Sequence, residues 1–219
     1  MNLLKGVKTI FFDYDGTLHD SLYIYAPAFR KAYDYLVEKG LADSREWSKE
    51  EISYWLGFNP HDMWKNFMPN ISDEVRQICS NIISKSMEQQ LEQGDAFLYE
   101  GSLETLEYLK GKGYNLIFIS NCKKYYKESH NKLFKLDRYF ASLVSSEEYD
   151  YIPKYEILKK IKINYPGEMV IIGDRIQDIE SGKKNGIYTI GCSYGYGLSG
   201  EIDNADYKIK DINELKKYL

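Results

Sequence analysis

The sequence lacks the features that mark several large classes of protein. Its 219 residues include only three cysteines, Cys79, Cys122 and Cys192, which are far apart and form no C-x-x-C pair. Their number and spacing suggest neither a disulfide framework nor a zinc site, so we expect a reducing compartment. Lys5 and Lys8 interrupt the apolar start, and no run is long enough for a signal peptide or a membrane span. The sequence therefore predicts a cytoplasmic protein.

The chain also lacks an excess of positive charge. It has 29 Lys and Arg against 33 Asp and Glu, a net charge of −4 and a pI near 5.5, with no basic stripe. This balance argues against a nucleic-acid partner or an anionic membrane surface. The hydrophobic fraction of 43% is enough to bury a sizeable core. We therefore expect a small-molecule partner.

Short apolar runs recur along the chain with amphipathic segments between them. The runs occupy residues 9–12, 115–120, 142–146, 168–174 and 186–191. Strands that alternate with helices indicate a parallel sheet covered by helices on both faces. The predicted fold class is therefore α/β.

One region breaks this alternation. Residues 22–93 contain no convincing strand, and helices are predicted at 26–40, 48–57 and 72–94. Ser48 and Glu51 have the spacing of a capping box, which supports the second of these helices. A helical block inserted after the first strand indicates a smaller second domain. The predicted domains are an α/β core at 1–18 and 97–219 and a helical domain at 19–96.

Polar residues follow several of the predicted strands. They are Asp13 and Asp15, Ser120 and Asn121, and Asp174 and Asp178, with Lys154 beginning a later helix after Pro153. Because the carboxyl ends of parallel strands meet at one edge, we expect these side chains to share a cleft. Carboxylate oxygens suit Mg²⁺, which commonly completes its coordination with water and substrate phosphate. A phosphate ester is the expected substrate.

Each part of this pattern also has a purely structural explanation. Asp13 and Asp15 before Gly16 are typical of a turn, and Asp174 could cap the next helix. The polar pair at 120–121 could be ordinary loop residues, and Lys154 could lie on a solvated helix face. The conjunction favours catalysis, because these residues follow one another in chain order at successive strand ends.

Four segments together resemble the motifs of the haloacid dehalogenase superfamily. They are "FFDYDGTLHDS", "FISN", the lysine of "IPKYEIL" and "IIGDRIQDIESGKKNGI", in the order of that superfamily. The tail from Gly191 onward is similar to its phosphoglycolate phosphatase-like branch. The resemblance implies a Rossmann-like core with a small α-helical cap domain inserted after the first motif. Two positions depart from the branch: Tyr155 stands where a proline usually follows Lys154, and Arg175 where a serine is frequent.

The resemblance also implies a mechanism. Asp13 would be the nucleophile and Asp15 the general acid and base of a Mg²⁺-dependent phosphatase that acts on a small phosphorylated metabolite through an aspartyl phosphate. The chain would act as a monomer or a small homo-oligomer. The implied metal ligands are Asp13, Asp15 through its backbone carbonyl and Asp174, with Asp178 supporting the metal directly or through water. The implied phosphate contacts are Ser120, the backbone amide of Asn121, and Lys154.

Specificity is expected to lie in the cap, because the core would recognise only phosphate. Residues 57–69 carry glycine and Asn-Pro turn signals, and in this branch the comparable loop faces the active site. Its polar candidates are Asn59, His61 and Lys65. Met63, Trp64 and Phe67 in this segment are expected in the core, and His19 and His61 are expected at the surface.

Two other functions remain open from the sequence. A phosphomutase of the β-phosphoglucomutase type shares the core motifs and differs mainly in cap and hinge. A non-catalytic phosphometabolite-binding protein could share the fold, although it has no use for a nucleophile and an acid together. Dehalogenase chemistry is disfavoured, because true dehalogenases lack the second aspartate and Asp15 is present here.

Overall fold

A computed structural model describes residues 4–219 of the chain. Its strands are β1 (Val7–Phe12), β2 (Asn115–Ser120), β3 (Ser142–Ser145), β4 (Glu168–Gly173), β5 (Tyr188–Cys192) and β6 (Tyr207–Ile209). Its α-helices are α1 (Leu22–Glu38), α2 (Lys49–Ser53), α3 (Pro60–Phe67), α4 (Asp73–Gln93), α5 (Ser102–Gly111), α6 (Lys124–Phe134), α7 (Lys154–Ile161), α8 (Ile176–Asn185) and α9 (Leu215–Tyr218). No helix among the described residues is long and apolar enough to cross a membrane.

The six strands form one parallel sheet in the order β3-β2-β1-β4-β5-β6. The chain builds outward from β1 to β3 and then returns to add β4 on the other side of β1. This reversal places the topological switch point between β1 and β4, where open α/β sheets bind ligands beyond the carboxyl ends of their strands. The predicted α/β fold with a Rossmann-like parallel sheet is confirmed.

Both faces of the sheet are covered, as the run of apolar residues in β1 predicts. Ile10, Phe11 and Phe12 point alternately to the two faces, and all three are fully buried. On one face, Phe11 belongs to a core cluster with Ile117, Ile171 and the α7 residue Leu158. The strands therefore form a rigid base, and the polar residues that follow them are held at its carboxyl edge.

The chain divides into two compact units. One comprises the described part of Met1–Asp20 together with Leu98–Leu219, and the other is Ser21–Phe97. The second unit is helical, and α1 packs against α4 within it. Its core includes a cluster of aromatic rings, in which Phe29, Tyr33, Trp47 and Phe67 contact one another.

Helix boundaries in this unit follow local capping. The capping box of Ser48 and Glu51 is present, since the side chain of each residue accepts from the backbone N–H of the other. Helix α4 begins after Ser72 and ends at Gly94, which has a positive φ of 85° and closes the last turn. Helix α1 begins at Leu22, earlier than the start that the sequence predicts.

One sequence-based expectation of local structure was wrong, and one strand was not predicted. The turn signals around Asn59 predict a loop, but residues 60–67 form α3, because the Asn59 side chain accepts from the N–H groups of His61 and Asp62 and Pro60 suits the first turn. The sequence pattern does not predict strand β6, since three residues are too short to show an alternation.

Candidate active site

Three predicted site residues lie at the ends of adjacent parallel strands. Asp13 directly follows β1, and its backbone N–H donates to Ile172 of β4 at 2.9 Å. Asp174 directly follows β4, and Ser120 is the last residue of β2. Strand pairing therefore brings together residues that are far apart in the sequence.

A buried acidic cluster forms at the switch point. Carboxylate oxygens of Asp13, Asp174 and Asp178 lie within 4.8 Å of one another, and all three residues are buried. Burial, and then the charge of Asp178, raises the pKa of Asp13 well above its ordinary value, against the pull of Lys154. Burial and Asp178 likewise raise the pKa of Asp174 to about 7. A bound cation would relieve this repulsion.

Lys154 lies among these carboxylates. Its Nζ donates to Oδ1 of Asp13 and to Oδ1 of Asp178, each at 2.7 Å. Burial disfavours the ammonium, but the two carboxylates outweigh burial and raise the pKa of Lys154 above its ordinary value. The alternative of a solvated helix face is excluded, because only 5% of Lys154 is exposed. Pro153 occupies the N-cap position of α7, so the altered order of proline and lysine still begins a helix here.

Asp174 is held by two residues that the sequence did not suggest. Thr17 Oγ1 donates to its Oδ1 at 3.3 Å, and the backbone N–H of Tyr196 donates to its Oδ2 at 2.7 Å. Tyr196 belongs to the segment 195–200, for which the sequence pattern indicates only a loop. The glycines of this segment are the sequence feature that could have indicated its approach to the site, since a Cβ at Gly195 would lie 2.3 Å from Cβ of Asp174. The glycines therefore permit the loop to approach Asp174.

Asp178 links the acidic cluster to α8. Its Oδ1 accepts from Lys154, and its Oδ2 accepts from the backbone N–H of Arg175 at 3.1 Å. This second bond caps α8. Arg175 is therefore the N-cap residue of α8, and the alternative that Asp174 caps this helix is wrong. The Arg175 guanidinium forms an ion pair with Glu201, with Nε 2.8 Å from Oε2. That pair ties the end of β4 to the segment before β6.

Asp15 has a separate set of contacts. Its Oδ1 lies 2.8 Å from the Tyr126 hydroxyl and 3.1 Å from His19 Nδ1. The prediction that His19 is a surface residue was wrong, because His19 is fully buried. The sequence did not single out Tyr126: it lies within α6, and nothing in its local pattern distinguishes it from a core tyrosine.

Ser120 and Asn121 take the places expected of them along the chain. Ser120 ends β2 and is buried, and Asn121 follows it and is half-buried. Strand β2 pairs directly with β1, with Phe118 opposite Phe12. Their roles in phosphate binding stay predictions.

The sequence model of the haloacid dehalogenase-like hydrolase family matches residues 10–192. The chain belongs to this family. It is also similar along nearly its whole length to two other proteins. It is 24% identical to pyrophosphatase PpaX of Bacillus mycoides, covering 97% of each chain. It is 26% identical to phosphoglycolate phosphatase of Mannheimia succiniciproducens, covering 97% of this chain and 98% of that protein.

Solved structures of low sequence identity share the fold of this haloacid dehalogenase-like hydrolase. A hydrolase from Pseudomonas syringae matches with a TM-score of 0.76 at 22% identity, covering 96% of this chain and 97% of that one. CbbY from Rhodobacter sphaeroides, solved with phosphate, matches with a TM-score of 0.78 at 18% identity, covering 95% and 96%. The predicted family and the predicted hydrolase class are confirmed.

The donor set of this family member fits a divalent cation. Three buried carboxylates offer hard oxygen atoms, and burial together with the charge of Asp178 raises the pKa values of Asp13 and Asp174, which a bound cation would oppose. Such oxygens suit Mg²⁺ rather than a soft transition metal.

The three residues predicted to select the substrate lie in the helical unit. His61 and Lys65 are exposed on α3, whereas Asn59 is half-buried. The Asn59 side chain is already used, since its Oδ1 caps α3 and its Nδ2 donates to Asp62 at 2.8 Å. Met63 and Trp64 are buried, in agreement with their expected place in the core.

Proposed function

We propose that this protein is a Mg²⁺-dependent phosphatase that hydrolyses a small phosphorylated metabolite through an aspartyl phosphate. The observation that carries the proposal is the buried cluster of Asp13, Asp174 and Asp178 around the Lys154 ammonium. Burying three carboxylates without a task for them is unfavourable. In a site that binds a phosphate and a cation next to a nucleophile, the three carboxylates and the ammonium each have a role in binding or catalysis.

Asp13 is the proposed nucleophile. One of its carboxylate oxygens attacks phosphorus, a bond from Asp13 to phosphorus forms, and the bond from phosphorus to the leaving oxygen breaks. Asp15 gives its proton to that leaving oxygen. In the second half, Asp15 takes a proton from water, the water oxygen attacks phosphorus, and the bond to Asp13 breaks to release phosphate.

The surrounding residues supply charge and position. Lys154 holds Asp13 in position and keeps a positive charge beside the point of attack. Ser120 and the backbone amide of Asn121 are proposed to bind phosphoryl oxygens. The metal is proposed to be held by Asp13 and Asp174, the backbone carbonyl of Asp15 and, directly or through water, Asp178. When bound, it supplies positive charge that offsets the repulsion between an anionic nucleophile and an anionic phosphate.

The substrate class is proposed from the family and from the named relatives. The relatives are a phosphoglycolate phosphatase and a pyrophosphatase, and both names refer to small substrates that carry phosphate groups. The proposed specificity residues remain Lys65, His61 and Asn59. If Lys65 binds a second anionic group of the substrate, Lys65→Ala should raise KM with a smaller loss of kcat. The three free cysteines support the proposed cytoplasmic location.

A panel of phosphorylated metabolites assayed for phosphate release, with and without EDTA, tests this function. We expect at least one to be hydrolysed, with activity abolished by EDTA and restored by excess Mg²⁺. The Asp13→Asn protein, purified in the same way, is the control for contaminating phosphatases. No hydrolysis of any compound, or turnover unaffected by EDTA, would contradict the proposal. Isomerisation of a sugar phosphate without phosphate release would indicate a phosphomutase instead.

A further inference from the structure

A cluster of two histidines and two tyrosines is buried beside Asp15. Tyr14 stacks on His19 with 5.2 Å between ring centroids, and His130 lies 4.6 Å from His19 and 4.1 Å from Tyr126. Two of the three histidines of the chain are in this cluster. Fully burying two imidazoles is costly, so the contacts that these four side chains make need an explanation.

The cluster directs two donors at one oxygen of Asp15. The Tyr126 hydroxyl lies 2.8 Å from Oδ1 and His19 Nδ1 lies 3.1 Å from the same atom. Tyr126 and His19 also contact each other at 3.1 Å, so the three groups form a closed triangle. Both of these side-chain contacts fall on Oδ1, and neither falls on the other oxygen, Oδ2. The two oxygens of Asp15 are therefore in different environments.

The surroundings of His19 determine which of its nitrogens carries the proton. Nε2 is buried and has no hydrogen-bond partner within the described part of the chain. A proton on Nε2 would leave a buried N–H unsatisfied, and it would turn the Nδ1 lone pair toward a carboxylate. The tautomer with the proton on Nδ1 avoids both costs. His19 is therefore a donor to Asp15, as Tyr126 is.

We propose that Tyr126 and His19 are positioning residues that hold Oδ1 of Asp15 and leave Oδ2 to carry the catalytic proton. Two donors on Oδ1 fix the orientation of the Asp15 carboxyl group. Oδ2 is then the oxygen that exchanges a proton with the leaving oxygen in the first half-reaction and with water in the second. This inference rests on the proposed function, in which Asp15 is the acid and base.

The same cluster contains a matched control. The Tyr14 hydroxyl lies 2.8 Å from His130 Nδ1, and Tyr14 is buried as Tyr126 is. Its hydroxyl is directed at His130, whereas the Tyr126 hydroxyl donates to Asp15. Tyr14→Phe and Tyr126→Phe each remove one buried hydroxyl from the same group of rings. Both should lower stability, but only the Tyr126 change should disturb Asp15.

A double-mutant cycle with Asp15 tests the inference. Steady-state hydrolysis of p-nitrophenyl phosphate is measured for Tyr126→Phe and Tyr14→Phe, each alone and combined with Asp15→Ala. We expect Tyr126→Phe to lower kcat about 10- to 100-fold, since misplacing a reacting group costs up to that much. Tyr14→Phe should stay within about 2-fold of the parent. In the Asp15→Ala background, Tyr126→Phe should have no further effect, because nothing remains to be positioned.

The His19 position supplies a rescue that does not depend on Tyr126. Asn can place a donor near the site of Nδ1, whereas Leu cannot, so His19→Asn should retain more kcat than His19→Leu at similar KM. This pair answers the same question if Tyr126→Phe fails to fold. Circular dichroism and thermal melts establish folding for every variant.

The remaining outcomes would contradict either the positioning role or the proposed function. Equal losses from the two tyrosine variants, an undiminished effect of Tyr126→Phe without Asp15, or equal activity of the two His19 variants would overturn the positioning role. Full activity of Asp15→Ala alone would instead show that the proposed function assigns the acid and base wrongly. The two failures are therefore distinguishable.

Discussion

The Lys154 ammonium lies 2.7 Å from Oδ1 of Asp13, and both side chains are buried. The two residues are 141 positions apart, and they meet because α7 begins at Lys154 beside the carboxyl end of β1. Lys154 also contacts Asp178, so one cation is shared by two members of a three-carboxylate cluster. Lys154 and a divalent cation therefore offset the same negative charge.

The first prediction concerns this shared charge. Lys154→Met should lower the free energy of unfolding by about 3–5 kcal/mol without metal, because it leaves buried carboxylates uncompensated. Added Mg²⁺ should then raise the Tm of the variant more than that of the wild type. Thermal melts across a Mg²⁺ titration measure this effect.

Lys127→Met is the control for Lys154→Met. Lys127 is also buried and lies 2.7 Å from Glu148, but neither residue belongs to the acidic cluster. This variant should lose stability while showing the Mg²⁺-induced Tm shift of the wild type. A Lys154→Met shift no larger than that of the wild type would contradict the link between Lys154 and the metal.

A second prediction separates backbone strain from disturbance of the metal site. Gly16 and Gly186 both have positive φ, at 80° and 65°. A Cβ at Gly16 would lie 2.2 Å from Oδ2 of Asp174, whereas a Cβ at Gly186 would have no described residue within 4 Å other than its own chain neighbours. Gly186→Ala should cost about 1–2 kcal/mol of stability and leave activity unchanged. Gly16→Ala should in addition weaken Mg²⁺ binding, measured by calorimetry; unchanged binding would show that Asp174 is not a ligand.

The third prediction concerns the Arg175–Glu201 ion pair. The Arg175 side chain is 3% exposed and that of Glu201 15% exposed. Burial opposes ionisation of Glu201, but Arg175 outweighs it and lowers the pKa of that carboxyl. Glu201→Met should lower the free energy of unfolding by about 3 kcal/mol, because it removes the carboxylate that pairs with a buried guanidinium. The double variant Arg175→Met/Glu201→Met should recover most of this loss in chemical denaturation; a double variant less stable than the single one would argue against a charge effect.

The fourth prediction is a pH dependence of stability that originates at His130. Burial, and then the neighbouring His19, lowers the pKa of His130 well below its ordinary value. In the unfolded chain His130 takes up a proton near pH ~6.5, whereas in the folded protein it resists doing so. Its contribution to stability is therefore fully present above about pH 7.5 and is lost progressively as the pH falls below about 6.5 toward the lower pKa of the folded state.

Chemical denaturation at about pH 7.5 and about pH 5.5 measures this contribution. The drop in unfolding free energy between the two pH values should be smaller in His130→Asn than in the wild type by about 1 kcal/mol. His61→Asn removes an exposed histidine and should leave the drop as in the wild type. Equal drops in the wild type and in His130→Asn would show that His130 is not responsible.

The fifth prediction separates the roles of Asp13 and Asp15. With p-nitrophenyl phosphate the leaving group needs little protonation, so Asp15→Ala should still form the aspartyl phosphate. Its breakdown should slow by ~10²- to 10⁴-fold, because no general base remains. Rapid mixing should therefore show a burst approaching one nitrophenol per active site, followed by slow turnover. Asp13→Asn should show neither phase, and a burst from that variant would mean that another residue is the nucleophile.

Much of the fold could be predicted because its signals are local. The apolar run before Asp13, the capping box at Ser48 and the glycine after α4 each act within a few residues, so the sequence alone indicates strands, helix ends and a helical block. Strand ends converge in any parallel sheet, which is why the sequence is enough to place Asp13 and Asp174 together.

Tertiary structure decided which side chains contact these predicted residues. Tyr126 and Asp15 are 111 positions apart, Tyr196 and Asp174 are 22 apart, and Lys154 could equally have faced solvent. No periodicity or spacing encodes such contacts, because they depend on how α6, α7 and the loop after β5 pack against the sheet. The sequence by itself determined the proposed reacting groups and the order in which they follow the strands. Packing determined their hydrogen-bond partners, since a buried donor or acceptor must be satisfied by whichever group the fold brings within reach.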